Sequence, residues 1–413
     1  MVVAVAEATL FSRAFIGYLL SRSAVGVANT MLVVSLGWHL YALTGDPWSL
    51  ALVGLMQILP VYAFFFVSGI VIDYVPRIWV VRTAALIEAL AVLGIAWVMH
   101  KPVPDLFWVY ALVALHGSAR AFHAPALQAI VPNIVHESVL DRAVAVSTTV
   151  WHSAMILGPL SAGLLISWLD RDVYALITVA LVVALLGYAL IPVFRVTHLA
   201  GRTLKSFMAG MSYVWRHPVL LGGLSVDVLM VGFGSVFVLL PIYAVDVLQV
   251  GPFELGLLRA APALGSILIG IAIAARRTPM AAVGDKLFWS LCVFSASIVV
   301  FALSELWLLS LAALFVYGAS DMVSVNIRSA MIHRATPESL RGRVSAVNML
   351  FIQTSNEAGD FRGGAFAALM GAVPTAVLGG VIAAGVLAFS RARFAPLYAL
   401  DRTSDLKPDP SLH

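Results

Sequence analysis

Charged residues and cysteine are both scarce in this sequence. Only 11% of the 413 residues are Asp, Glu, Lys or Arg, about half the fraction of a soluble globular chain, so an ordinary water-soluble fold is excluded. Cys292 is the single cysteine, which excludes an intrachain disulfide and a zinc site built on several thiolates. The sequence has no His-Glu-x-x-His, Gly-x-Ser-x-Gly or P-loop motif. We therefore expect neither an enzyme nor a self-contained ATP-driven pump, and no metal site.

Long apolar stretches are what the sequence has instead. Hydrophobic residues make up 61% of the chain, and the mean hydropathy is +0.98. Stretches of about 20 apolar residues, each long enough to cross a bilayer, recur along the whole length. We count twelve, near residues 14–42, 48–72, 79–99, 105–131, 143–168, 173–192, 219–245, 253–275, 285–304, 306–332, 344–371 and 373–393. The predicted fold class is an all-α membrane protein with twelve transmembrane helices.

The positions of lysine and arginine predict the orientation in the membrane. Of the 25 Lys and Arg, five lie in the interior of the predicted spans, away from their ends: Arg22, Arg120, Arg259, Arg328 and Arg362. If both termini are cytoplasmic, 18 of the others lie inside, and only Lys101 and Arg171 lie outside. This bias follows the positive-inside rule. The pI near 9.3 reflects the same asymmetry, and no nucleic-acid partner is needed to explain it.

Two distant segments of the chain share one sequence pattern. Residues 136–146 and 337–347 carry Glu, Ser, Arg, Ala and Val at identical offsets. Two pairs of glycines continue the repeat, Gly158 with Gly359 and Gly163 with Gly364. A further match joins residues 54–60 to 256–262, at nearly the same separation. These repeats predict two six-helix bundles with the same up-down order, related by an axis along the membrane normal.

The repeat and the apolar spans together predict four segments along the chain. They are an N-terminal six-helix bundle (1–192), a cytoplasmic linker (193–217), a C-terminal six-helix bundle (218–394) and a cytoplasmic tail (395–413). Apolar residues recur at helical spacing in the linker, at Phe207, Met211, Val214 and Trp215. The linker is either an amphipathic helix at the membrane surface or a plain connection.

The loop after the second span resembles the signature of the major facilitator superfamily. Gly69, Asp73 and Arg77 fit its Gly-x-x-x-Asp-Arg-x-x-Arg pattern, with Tyr74 in place of the usual Arg. The resemblance implies two packed six-helix bundles and a cytoplasmic gate between them. The residues assigned to this gate are Asp73, Arg77, Arg142 and Arg343. A solvated loop is the alternative interpretation of the motif.

The fifth span is similar to a glycine-rich motif of the antiporters in that superfamily. The matching positions are Ala145, Ala154, Gly158, Pro159, Ala162 and Gly163. Small side chains allow two helices to approach closely, and the resemblance implies contact with a helix of the opposite half. Ordinary tight packing, without a role in the direction of transport, is the alternative.

Two longer stretches resemble the enterobactin-exporter branch of the superfamily, residues 117–128 and 321–364. The resemblance implies a monomeric exporter of siderophores or related small molecules in the bacterial inner membrane. It also implies a proton gradient as the energy source, with no cofactor. The branch often has an acidic residue midway along the first span, where this chain has only Asn29 and Ser35.

Charged and polar residues within the spans are functional candidates, because a charge in the bilayer needs a partner or an aqueous cavity. In the implied fold, spans 1, 4, 7 and 10 line the cavity. The substrate-cavity candidates are Arg22, Asn29, His116, Arg120, His123 and Arg328. Their positive charge favours an anionic substrate, and Trp38 and Trp151 favour an aromatic one, unless the two rings serve only in packing.

Carboxylates within the spans are the candidates for proton coupling. They are Asp227, Asp321, Glu357 and Asp360. Glu357 and Asp360 are i,i+3 neighbours on one helix face, and a purely structural salt-bridge set with Arg362 or Arg328 is the alternative. Arg120 and Asp321 occupy equivalent positions of the repeat, and we expect them to pair across the cavity in one conformation.

The function that these patterns predict is proton-coupled export of a small organic molecule by alternating access. The alternatives are a general multidrug exporter, an importer of an anionic solute, and a membrane sensor or scaffold that does not transport. A scaffold would tolerate neutralisation of the cavity charges, and a transporter would not.

Overall fold

The computed structural model describes residues 10–194, 204–276 and 280–408, with the backbone alone at 65, 66 and 204–207. The long helices in this part of the chain, numbered here in order, are α1 (Arg13–Thr44), α2 (Pro47–Tyr74), α3 (Arg77–Met99), α4 (Leu106–Gln128), α5 (Leu140–Leu169), α6 (Val173–Ala189), α7 (Leu204–Arg216), α8 (Pro218–Gly234), α9 (Pro252–Ala274), α10 (Val283–Leu303), α11 (Trp307–Ala335), α12 (Glu338–Met370) and α13 (Ala372–Arg393).

The helical fold follows from the apolar composition, because a helix satisfies its own backbone hydrogen bonds where water is absent. A long helix covers most of each of the twelve predicted stretches. Nine segments of the described chain are long and apolar enough to cross a membrane, with α5 and α6 counted as one. Two further helices of similar length, α4 and α12, carry polar and charged residues that lower their hydropathy. The all-α membrane fold is confirmed, and the count of twelve spans stays a prediction.

The chain divides into two compact units. Among the described residues, unit 1 comprises 10–39 and 55–194, and unit 2 comprises 40–54, 204–276 and 280–408. The division differs from the predicted bundle boundaries at residues 40–54, which group with unit 2. Two contacts explain this difference: the Tyr41 hydroxyl donates a hydrogen bond to Asp246, and Ala51 lies directly against Gly364 of α12.

In unit 1, α3 packs against α4 and α6, and glycines bring other helices into close contact. Gly117 of α4 lies against the backbone of Gln57 in α2. On α5, Gly158 lies against Thr30 of α1, and Ala154 lies against Gly26. The antiporter-like motif was expected to meet the opposite half, but here Ala154 and Gly158 pack within their own unit. The reason is that Gly26 leaves room on α1 for this approach.

Unit 2 repeats the same arrangement. Here α10 packs against α11 and α13, as α3 packs against α4 and α6. Gly318 of α11, the repeat equivalent of Gly117, lies against the backbone of Pro262 in α9. Gly359 of α12, the repeat equivalent of Gly158, lies against Val231 and Ser235 at the end of α8. The repeated glycines thus form the same helix contacts in each unit.

The helix α8 of unit 2 ends at Gly234, where the predicted span is interrupted. Three short turns follow α8: a 3₁₀ turn (Phe237–Leu239), one α-helical turn (Leu240–Ile242) and a π-helical turn (Tyr243–Val247). Single π-helical turns of this kind are uncommon and often mark functional positions. The interruption lies within the predicted span 219–245, which is therefore not a continuous helix.

The predicted linker contains α7, which packs on α12 of unit 2. Residues 195–203 of the linker lie outside the described residues. The buried side of α7 carries Tyr213, whose hydroxyl donates to the carbonyl oxygen of Ala335. Trp215 is exposed, whereas Val214 is buried. The contact side of the helix is thus rotated from the one that apolar spacing alone predicts.

A histidine in the loop after α3 makes one connection within unit 1 dependent on pH. The His100 Nδ1 lies 2.7 Å from the Ala96 carbonyl oxygen, and its Nε2 lies 2.8 Å from Asp172 Oδ1. The bond to the Ala96 carbonyl, followed by the one to Asp172, raises the pKa of His100 above its ordinary value. Since the folded pKa is the higher one, the stabilisation is fully present below the unfolded pKa of about 6.5 and is lost as the pH rises through the folded value.

We therefore expect His100→Gln to lower the melting temperature of the purified protein at about pH 5 and to have no effect at about pH 9. The difference should be small, because the side chain is 47% exposed and its charge is screened by solvent. Thermal unfolding in detergent across this pH range measures the difference in melting temperature between the variant and the wild type. A difference that grows with rising pH would contradict the assignment.

Candidate functional site

A buried ion pair lies at the centre of the charged residues in unit 2. Asp227 on α8 pairs with the guanidinium of Arg328 on α11. The two residues are only 3% and 6% exposed. Arg328 Nη1 also lies 3.1 Å from Ser324 Oγ, one helical turn away. Pairing of this kind lowers the free-energy cost of keeping two charges in an apolar interior, and the pair holds α8 and α11 together.

Asp321 adds a second carboxylate to this pair. It is part-buried, it precedes Arg328 by two turns of α11, and both Arg328 and Asp227 are its electrostatic neighbours. The group therefore contains two carboxylates and one guanidinium. Arg328 already neutralises Asp227, so the charge of Asp321 is the unbalanced one. A proton on this group would restore neutrality.

The charges near Asp360 on α12 are balanced instead. The Ser235 hydroxyl donates to Asp360 Oδ1 at 2.7 Å, and Arg259 and Arg362 are electrostatic neighbours of the same carboxylate. Glu357 is a further neighbour of Arg259. Two carboxylates and two guanidinium groups neutralise one another. This arrangement favours the structural interpretation of Glu357 and Asp360 over proton transfer.

The three basic residues of α4 contact different helices of unit 1. His116 Nε2 lies 3.0 Å from Asn29 Oδ1 on α1. Arg120 Nη1 donates to Gln57 Oε1 on α2 at 3.3 Å. His123 is 2% exposed and points towards α3 and α6. A contact between His123 and a substrate would therefore require these helices to separate.

The partner of His123 is Glu88, a residue that our sequence analysis missed. Glu88 on α3 is fully buried, and its Oε1 lies 2.9 Å from His123 Nδ1. The Tyr188 hydroxyl on α6 lies 2.7 Å from His123 Nε2. The signal that could have identified Glu88 was a lone carboxylate within an apolar span. It was overlooked because the implied fold assigns the cavity to spans 1, 4, 7 and 10.

Arg22 on α1 is held against α5. Its Nε donates to the Ser147 carbonyl oxygen at 3.1 Å, and its guanidinium carbon lies 5.4 Å from the ring centroid of Trp151. The Tyr18 hydroxyl bonds to Ser147 Oγ at 3.0 Å. His152, the next residue on α5, is exposed. A cation beside an indole ring is a combination that also accepts aromatic or anionic ligands.

The predicted gate residues lie in separate environments. Arg77 Nη1 donates to the Ala129 carbonyl oxygen at 2.9 Å and to Asn133 Oδ1 at 2.7 Å, so it joins α3 to the end of α4. Asp73 is part-buried, and Arg142 and Arg343 are exposed. The backbone of Arg343 lies against Gly210 of α7. The contacts of Arg77 lie within unit 1, and the contact of Arg343 lies within unit 2. The predicted cytoplasmic gate stays a prediction.

The described helices and their buried charges define the class of this protein. Apolar helices in two similar units, with ion pairs inside them, have the architecture of a secondary transporter. The chain belongs to the Major Facilitator Superfamily, whose family model matches residues 14–359. It is therefore a multi-pass membrane transporter of a small molecule and not an enzyme.

Two similar proteins carry the same descriptive name. The chain is 26% identical over 370 residues to the enterobactin exporter EntS of Shigella boydii serotype 4, with 86% of each chain covered. It is 25% identical over 367 residues to the enterobactin exporter EntS of Escherichia coli O139:H28, again with 86% of each covered. The resemblance to the enterobactin-exporter branch is confirmed at this level.

Solved structures of other transporters share the fold. An inward-facing, unoccupied bacterial homologue of the human lysosomal transporter Spinster has a TM-score of 0.74 at 12% identity, covering 93% of this chain and 97% of that chain. An inward-facing bacterial homologue of the iron transporter ferroportin has a TM-score of 0.68 at 15% identity, covering 94% and 98%. At these identities the similarity concerns the fold alone.

Proposed function

We propose that the protein is a proton-driven exporter of a small organic molecule, of which a siderophore is the favoured example. Transport proceeds by alternating access, with protons entering as the substrate leaves. The names of the relatives support export and the siderophore class. The protein works as a monomer in the bacterial inner membrane, with both termini in the cytoplasm, as the distribution of Lys and Arg indicates.

The observation that carries the proton-coupling proposal is the unbalanced charge in unit 2. Asp321 stands beside an ion pair that is already neutral, in the interior of an apolar bundle. Binding a proton there removes a charge that burial disfavours, and releasing it restores that charge. Such a group can therefore alternate between two protonation states as its surroundings change. Asp321 is our first choice among the four carboxylates.

The cations of unit 1 support an anionic or aromatic substrate. Arg22 lies beside the Trp151 ring, and Arg120 lies on α4 with His116 one turn before it. Catecholate groups combine a negative charge with an aromatic ring. Guanidinium and indole groups bind both features, through hydrogen bonds and through stacking. The proposed substrate class thus agrees with the chemistry of these side chains.

The test is transport of enterobactin into and out of proteoliposomes that contain the purified protein. We expect a pH gradient to drive accumulation by the wild type. Asp321→Asn should reduce the stimulation by the gradient roughly tenfold, a coupling free energy of about 1.4 kcal/mol. Counterflow should be retained, since exchange of substrate for substrate requires no net proton movement. Radiolabelled substrate measures both activities.

The matched control is Asp285→Asn, which neutralises an exposed aspartate in the first turn of α10. It should accumulate substrate as the wild type does. Full stimulation by the gradient in Asp321→Asn would remove Asp321 from the mechanism. Failure of the wild type to move enterobactin at all would reject the proposed substrate.

A further inference from the structure

A second buried acid, in unit 1, is linked to two other titratable side chains. Glu88 on α3, His123 on α4 and Tyr188 on α6 form a continuous hydrogen-bonded chain with distances of 2.9 and 2.7 Å. Glu88 and Tyr188 are fully buried, and His123 is 2% exposed. We call these three residues the Glu88 triad. It belongs to unit 1, whereas Asp321 belongs to unit 2, and the proton pathway proposed above does not use it.

One atom of the triad lacks the partner that its chemistry requires. Glu88 Oε1 accepts the bond from His123, while Glu88 Oε2 is buried without a hydrogen-bond partner among the described residues. An ionised carboxylate has about four acceptor positions. Leaving one oxygen bare in an apolar interior is therefore unfavourable. If the triad served only to hold three helices together, a neutral amide or hydroxyl would do so without this cost.

Other titratable groups surround the triad. On α4, His116 and Arg120 are electrostatic neighbours of Glu88. On α1, Tyr18 and Arg22 are electrostatic neighbours of Tyr188. His116 Nδ1 is a second buried atom for which the described part of the chain offers no hydrogen-bond partner. Arg120 stabilises the Glu88 carboxylate when it is ionised, and the charges of Arg120 and Arg22 do not change when the triad gains a proton.

The triad can accept one proton without breaking any bond between its members. In one state, the Tyr188 hydroxyl donates to His123 Nε2, and His123 Nδ1–H donates to the Glu88 carboxylate. After one proton is added at His123 Nε2, Nε2–H donates to the Tyr188 oxygen. The Nδ1 proton then either stays on His123, which leaves an imidazolium beside the Glu88 carboxylate, or passes along the existing hydrogen bond to the carboxylate and leaves a neutral imidazole. Only the hydroxyl hydrogen of Tyr188 has to rotate.

We propose that the Glu88 triad is a proton-binding site of unit 1, whose loading and unloading contributes to the transport cycle. The role of the triad in transport rests on the proposed function. The binding of a proton by the triad does not depend on it. The proposal adds Glu88 on α3 to the proton-coupling candidates. The candidates predicted from the sequence all lie on other helices.

Proton binding can be measured without any substrate. The full-length protein in weakly buffered detergent is titrated between about pH 5.5 and pH 8.5, and a pH-indicator dye reports the protons taken up. We expect Glu88→Gln to take up about one proton fewer per transporter than the wild type. Glu305→Gln, at an exposed loop residue, should match the wild type, because exposed carboxylates are already ionised in this range.

Tyr188→Phe provides a second variant in case Glu88→Gln does not fold. It keeps the Glu88–His123 bond and removes only the hydroxyl, so the midpoint of proton uptake should shift. Equal uptake curves for wild type, Glu88→Gln and Tyr188→Phe, each with an intact melting transition, would overturn the proton site.

Transport assays distinguish a failure of this inference from a failure of the proposed function. In proteoliposomes, Glu88→Gln should lose stimulation by the pH gradient while counterflow of enterobactin continues. If it loses the proton but keeps full stimulation, the role of the triad in the cycle is overturned. If the wild type itself does not transport, the proposed function fails, and the titration still decides whether the triad binds a proton.

Discussion

Replacing Gly318 with alanine is expected to destabilise unit 2 by about 1–3 kcal/mol, because it overpacks a close contact between α9 and α11. An added Cβ would overlap three backbone atoms of Pro262. Backbone atoms cannot rotate away as the end of a flexible side chain can. The Ser266 hydroxyl also donates to the Gly318 carbonyl oxygen at 2.8 Å. Moving the helices apart would therefore break this bond as well.

Unfolding of the purified protein in mixed micelles, followed by tryptophan fluorescence, measures the change in free energy. The matched control is Gly385→Ala, since no atom lies within 4 Å of an added Cβ at that position of α13. We expect this control to be neutral or slightly stabilising, because alanine favours a helix more than glycine does. If both variants unfold alike, the helices α9 and α11 are not as close as described.

Removing either partner of the Asp227–Arg328 pair is the second change with a large expected effect. Asp227→Ala or Arg328→Ala leaves one charge buried without its counter-ion, which typically costs about 3–5 kcal/mol. Replacing both with apolar residues of similar volume, as in Asp227→Leu with Arg328→Met, should recover most of the loss. The reason is that no uncompensated charge remains.

The measurement is a double-mutant cycle of unfolding free energies with Asp227→Ala, Arg328→Ala and the variant that carries both alanines, in which the non-additive part reports the interaction. Asp285→Ala, at the exposed start of α10, should change stability by about 0.5 kcal/mol or less. Two additive single effects would show that the charges do not interact. A stable double variant would then allow transport to be measured apart from folding.

The repeat in the sequence predicted more of the packing than the charges did. The same separation along the chain relates Gly117 to Gly318 and Gly158 to Gly359, and both pairs form equivalent close contacts. This worked because a glycine at a helix contact needs only the approach of a neighbouring backbone, and equivalent helices of the two units meet alike. The repeat is thus visible in the packing of each unit separately.

The partners of the charged residues could not be predicted in the same way. The sequence marked Asp227 and Arg328 as buried charges, but which charge meets which depends on the rotation of each helix about its axis. Apolar spans fix that rotation poorly, because a helix that is hydrophobic on every side has no unique buried face. Glu88 was missed for a related reason. Nothing in the pattern of α3 showed that it faces His123.

The contacts at Gly117 and Gly318 also bear on how each unit changes shape. Where one helix rests on the backbone of another, there are no side chains to adopt new rotamers, so the two helices cannot slide past each other gradually. The pairs α2–α4 and α9–α11 should therefore move as rigid bodies. Outside these pairs, we expect bending where the helical hydrogen bonding is already irregular, as at Pro159 in α5 and at the π-helical turn Tyr243–Val247. We expect those two places to act as hinges when the protein changes conformation.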